Sequence, residues 1–188
     1  TLDMVCHEVT RLNGRKGVEK LGEHRGISWD PAYEKIVLHL ARVHKPDGKV
    51  IVSGYFLNIG GSEHSYIARL HANGSVDDSF TAGADYDVDT LALQSDGRIV
   101  IGGGFTMING TARPCIARLN DDGSLDDSFD PGTGADLHVN SVVVQPDGKI
   151  LAGGNFGLMN GYSRPNIARL NDDGSVDQTF NPQNGTDS

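Results

Sequence analysis

The chain has 188 residues, of which 37% are hydrophobic, 6% are aromatic and 25 are glycine, and its formal net charge is −9. That length buries a sizeable core in one or two domains, and the composition is too apolar for a disordered chain. The acidic balance argues against nucleic acid or an anionic membrane surface as a partner, and no apolar run approaches the roughly 18 residues of a membrane-inserted helix.

In chain order, the first segment, residues 1–45, stands apart. It does not open with the basic and apolar stretches of a signal peptide, so none is expected. Residues 1–49 carry a charge balance of +2 and hold His7, His24, His39 and His44, whereas residues 50–188 carry −11 and 20 of the 25 glycines. Such a shift points to two segments of different origin. Residues 1–45 read as β-rich, with Ile36–Val43 a strand running into the turn Pro46-Asp47-Gly48-Lys49.

From Pro46 onward a unit of about fifty residues recurs. The Pro46–Lys49 turn returns as Ser95-Asp96-Gly97-Arg98 and Pro146-Asp147-Gly148-Lys149, at offsets of 49 and 51. Ile67-Ala68-Arg69-Leu70 returns as Ile116–Leu119 and Ile167–Leu170, and Gly74-Ser75-Val76-Asp77 as Gly123–Asp126 and Gly174–Asp177, with the same spacing. The units are residues 46–94, 95–145 and 146–188. Each reads as four short strands, in the third copy Val139–Gln145, Ile150–Ala152, Asn166–Asn171 and Ser175–Phe180. Four strands per fifty residues is the content of a propeller blade. The expected fold is therefore all-β: a partial propeller of four-stranded antiparallel blades behind a short β-rich segment. At the junction, Leu91 and Leu93 align with Arg42 and His44, while Leu38, Leu40 and Val43 fall out of phase. That slip predicts a first strand borrowed from the N-terminal segment in altered register.

The recurring Pro-Asp-Gly-Lys, Gly-Gly-x-Phe, Ile-Ala-Arg-Leu-Asn and Asp-Gly-Ser-[Val/Leu]-Asp signatures resemble delta-60 repeats, propeller-type repeats of large bacterial proteins. The resemblance spans about residues 46–188. It implies the propeller fold and a bacterial extracellular or envelope setting, and it carries no catalytic residues. Gly17-Val18-Glu19-Lys20, Gly26-Ile27-Ser28-Trp29-Asp30-Pro31 and Tyr33-Glu34-Lys35 resemble the β-rich domain of unknown function that precedes bacterial transglutaminase-like domains, over residues 1–50. The two resemblances meet at a shared Pro-Asp-Gly-Lys turn, the expected fusion point; the alternative is a degenerate first repeat, because Val9-Thr10-Arg11-Leu12-Asn13 echoes the Ile-Ala-Arg-Leu-Asn strand.

Candidate chemistry is sparse. Asp121, Asp122 and Asp126 surround Gly123, and Asp172, Asp173 and Asp177 surround Gly174. Carboxylates spaced around a glycine suit calcium, a hard cation. The set lacks the full calcium-loop spacing, and Asp before Gly favours a hairpin turn by itself. Arg69, Arg118 and Arg169 recur beside apolar residues, which predicts pairing with Asp77, Asp126 and Asp177. His39, His44, His64 and His71 are zinc candidates by residue type, without metal-helix spacing. Cys6 and Cys115 belong to no repeated framework. Asn73, Asn109 and Asn184 sit in glycosylation-type triplets that Asn-Gly turns explain better.

These readings converge on a non-enzymatic structural or interaction module. Three blades leave open sheet edges, so the chain is expected to be a fragment of a longer protein, to associate with itself or another protein, or to fold residues 1–45 over one edge. The competing reading is a metal-dependent hydrolase using the histidine or aspartate clusters.

Overall fold

The structure, a computed structural model, describes residues 43–44, 47–54 and 56–182, with side chains from residue 47 onward. His39, Cys6 and residues 36–42 of the expected first strand lie outside it. Among the described residues every regular element is a strand, and no helix is long and apolar enough to cross a membrane.

Counted as blades, each starting with the strand before its Asp-Gly turn, repeat one contains β1 (Val43–His44), β2 (Val50–Ser53), β3 (Asn58–Ile59), β4 (Ser62–Glu63) and β5 (Ile67–Leu70). Repeat two contains β6 (Val88–Leu93), β7 (Ile99–Gly103), β8 (Met107–Ile108), β9 (Thr111–Ala112) and β10 (Ile116–Leu119). Repeat three contains β11 (Val139–Val144), β12 (Ile150–Gly154), β13 (Leu158–Met159), β14 (Tyr162–Ser163) and β15 (Ile167–Leu170). Each repeat forms one three-stranded antiparallel sheet, ordered β1-β2-β5, β6-β7-β10 and β11-β12-β15, and one two-stranded hairpin, β3-β4, β8-β9 and β13-β14. This is a partial propeller of three blades.

Turn chemistry sets these elements. The Asp47, Asp96 and Asp147 side chains accept the amide of the residue two positions on, at 3.1, 3.0 and 3.2 Å. The glycine between them has positive φ in each case, 78°, 91° and 84°. In the two later hairpins Asn109-Gly110 and Asn160-Gly161 are left-handed at both positions, the backbone of a two-residue turn matched to strand twist.

Two expectations need revision. The fourth strand of each blade is a single antiparallel bridge, Leu70↔Val76, Leu119↔Leu125 and Leu170↔Val176. The chain then leaves the sheet because the next residue, Asp77, Asp126 or Asp177, turns it. In repeat three, the Asp177 side chain accepts the Thr179 amide at 2.9 Å, while its carbonyl accepts the Phe180 amide. The junction register is also kept rather than altered. Val43 faces Ile51 and His44 faces Val50, as Ala92 faces Val100 and Leu93 faces Ile99 one repeat later.

The core lies between blades. Ile51 and Ile67 of repeat one pack in one cluster with Val88, Leu91, Ile101 and Phe105 of repeat two. Val100 and Ile116 of repeat two pack with Val139, Val142 and Phe156 of repeat three. Each sheet is thus apolar on both faces, and both Ile-Ala-Arg-Leu strands of repeats one and two are buried along their length.

Candidate functional site

The repeated polar residues meet at the seams between blades. Arg118 lies on β10, 1% exposed, with its guanidinium over the Phe129 ring at 5.0 Å. Its Nε donates to Asp126 Oδ2 at 2.7 Å and its Nη2 to Ser128 Oγ at 3.2 Å, both within its own repeat. Its Nη1 crosses the seam, donating to the carbonyl and the Oδ1 of Asp172, each at 2.7 Å. One step back, Arg69 donates to Asp77 Oδ2 at 2.8 Å and to the carbonyl of Asp121 in the next repeat. Alongside, the Thr81 amide donates to the Asp122 carbonyl at 3.0 Å and the Asp130 amide to the Asp173 carbonyl at 2.8 Å. The expected Arg–Asp pairing is therefore present in all three repeats, and in the first two it extends into a latch onto the following one.

The latch accounts for the aspartates considered for calcium. Asp121 and Asp172 receive the preceding repeat's arginine. Asp122 and Asp173 fold back on their own turns, each accepting from a serine hydroxyl at 2.6 Å. Asp126 and Asp177 each hold two cations, Arg118 with Arg98 and Arg169 with Lys149. Burial pushes the Asp126 carboxyl up, but hydrogen bonds from Ser128, Arg118 and Arg98 outweigh it and hold the group well below the usual carboxylate range. For Asp177, bonds from Lys149 and Thr179 act in the same downward direction.

The zinc candidates among the described residues, His64 and His71, do not converge. His64 stands 3.6 Å from Asp78 in an open cleft also lined by Glu63, and His71 stands 3.8 Å from Asp77. Neither joins a three-donor group among the described residues. The His44 side chain and all of His39 lie outside the described residues. Cys115 is buried at a left-handed position, and burial pushes its thiol up to about 11, so it stays protonated at neutral pH.

The structure instead gathers three residues that belong to no motif of the sequence. Asp87, Asp89 and His138 bring one carboxylate oxygen or ring nitrogen each to within 4.8 Å of one another. They sit where β6 and β11 begin, on two adjacent repeats. Their signal in sequence is disagreement between repeats: His138 occupies in repeat three the position of Asp87, and Asn140 that of Asp89.

Three separate matches to a domain of unknown function described as a beta-propeller (DUF5122) cover residues 45–80, 94–129 and 145–180, more than half of the chain. A second domain of unknown function, one with a solved structure (DUF3857), matches residues 2–54. The two overlap across the Pro46–Lys49 turn. No curated protein and no solved structure matches.

Proposed function

Because the chain belongs to the DUF5122 beta-propeller family, we propose that it is a non-enzymatic interaction module that associates with itself, repeat three of one copy docking on repeat one of another. The observation that carries this reading is a pair of open, complementary edges. At the seams, Ile51, Ile67, Val100 and Ile116 are 0% exposed beneath the next repeat. Their counterparts Leu151 and Ile167 are only partly buried, as is Phe180, whereas Phe80 and Phe129 are fully buried. Arg169 is 23% exposed against 1% for Arg118, and among the described residues no bond from its Nη1 crosses a seam. At the other end, Gly74 is partly open while Gly123 and Gly174 are buried under the preceding repeat.

An apolar sheet face with an unlatched arginine suits an Asx-Gly turn on another repeat. Head-to-tail pairing of two copies places six repeats in one ring, within the roughly four to eight blades of closed propellers. The match of residues 2–54 to a different family supports reading the Pro46–Lys49 turn as the boundary between a 1–45 segment and the repeats. The extracellular or envelope setting belongs to the same reading and rests on the family resemblance.

Light scattering on the full chain tests it. A dimer mass is expected, falling to monomer in Leu151→Asp. A monomer at all concentrations in the unsubstituted chain rejects self-association.

A further inference from the structure

Three departures from the repeat pattern fall at one point of the seam between repeats two and three. Asp89 takes the place of Asn140 on a bulge that both repeats share: the register steps from Val88–Gly103 to Thr90–Gly102 past Asp89, as it steps from Val139–Gly154 to Ser141–Gly153 past Asn140. A bulge re-aims the side chain it carries, and Asp89 Oδ2 stands 3.8 Å from His138 Nδ1. His138 comes from repeat three and lies on the backbone of Gly104, where an added Cβ would meet its ring at 2.4 Å. Repeats one and three carry Tyr55 and Asn155 at the Gly104 position, so the glycine occurs only where the imidazole needs the space.

Asp87 completes the group. Its carbonyl accepts the Gly104 amide at 3.1 Å, which anchors it beside the imidazole. Its Oδ1 is sealed from solvent and has no hydrogen-bond partner. A desolvated carboxylate oxygen without a partner is costly, and a cation satisfies it. The neighbouring Asp85 and Asp136, by contrast, recur in both repeats, and the Oδ1 of each accepts two loop amides.

We propose that Asp87, Asp89 and His138 form a binding site for one divalent transition-metal ion, with zinc the best match. Two carboxylates and an imidazole are a mixed oxygen–nitrogen donor set, which suits zinc and its first-row neighbours rather than calcium, whose ligands are oxygens. Three protein donors leave one tetrahedral position for water or a donor from a partner. His138 is 44% exposed at its side chain, so the ion enters from solvent. Because the donors come from two repeats, the metal also ties the seam. This site is independent of self-association.

The test uses the full chain and zinc chloride. Titration calorimetry should give one zinc per chain, and the melting temperature should rise with zinc concentration. In heteronuclear spectra the His138 ring resonances should shift, with those of His64 and His71 unmoved. His138→Ala and the near-isosteric Asp89→Asn should weaken binding by about 100-fold or more, while a His64→Ala/His71→Ala double variant should bind as the parent does. Substoichiometric zinc overturns the site, as does unchanged affinity in a folded His138→Ala chain. Should that variant fail to fold, unshifted His138 resonances in the parent chain overturn it equally.

Discussion

Arg118 holds Asp126, Ser128 and Asp172 through one planar group, while its flat face covers Phe129. Removing it leaves the Asp126 carboxylate, 9% exposed, with Arg98 as its remaining cation. Breaking a buried pair in this way costs about 3–5 kcal/mol, so Arg118→Ala should lower the unfolding free energy by roughly that amount in urea titrations. Arg169→Ala should cost clearly less, because among the described residues its bonds to Asp177 and Thr179 stay within repeat three; equal losses would refute the latch. The same pairs set the acid response. Asp77 and Asp126 titrate well below the usual carboxylate range in the folded chain, against about 3.9 unfolded. A depressed folded value means stability that is whole above about pH 5 and drains away as pH falls through 4 toward the folded value. Asp126→Asn should therefore reduce the slope of stability against pH below 4, measured by denaturant midpoints. These arginines and aspartates were legible in sequence because repetition marked them. Asp87, Asp89 and His138 were not, since nothing in a linear spacing reveals that a bulge aims one residue at a ring from the next repeat.

The elements hold their places through turns that lean on the neighbouring repeat. Gly174, at φ 89°, would set a Cβ 2.8 Å from the backbone of Asp130, and Gly123, at φ 88°, would set one 2.7 Å from the Ala82 nitrogen. A left-handed β-branched residue is strained by about 1–3 kcal/mol before any clash, so Gly174→Val should destabilise by about 2 kcal/mol or more, read from thermal melts. Gly148, also left-handed at φ 84° but with open space around it, should tolerate Ala with a smaller loss. The positive φ at Gly123 and Gly174 follows from the Asp-Asp-Gly triplets. The contact across the seam does not, because it depends on the stacking of blades. The same distinction explains the fourth strand. Its alternation was visible in Ser175–Phe180, yet Asp177, committed to Arg169 and Lys149, bends the chain away after one bridge.

For the molecule as a whole, burial grades along the row of blades. The sheet of repeat two is covered by repeat one on one side and repeat three on the other. Amides of β7 and β10 should therefore exchange with deuterium more slowly than those of β12 and β15, whose outer positions are partly open. Equal protection in a monomer would contradict the open third face. The three-blade architecture was readable from offsets of 49 and 51 alone, whereas the first blade's kept register was hidden by its misphased side chains. The latch has one further property. What Arg69, Arg118 and the flanking amides of Thr81 and Asp130 grip across the seams includes a main-chain carbonyl, at Asp121, Asp172, Asp122 and Asp173. Carbonyls are common to every residue, so the joint is indifferent to most of the sequence it closes upon. A lineage can then gain or lose a whole unit by duplication or recombination without mutating either side of the new joint, while a fractional unit throws every later carbonyl out of reach. Copy number is the variable that such a design leaves evolution free to change.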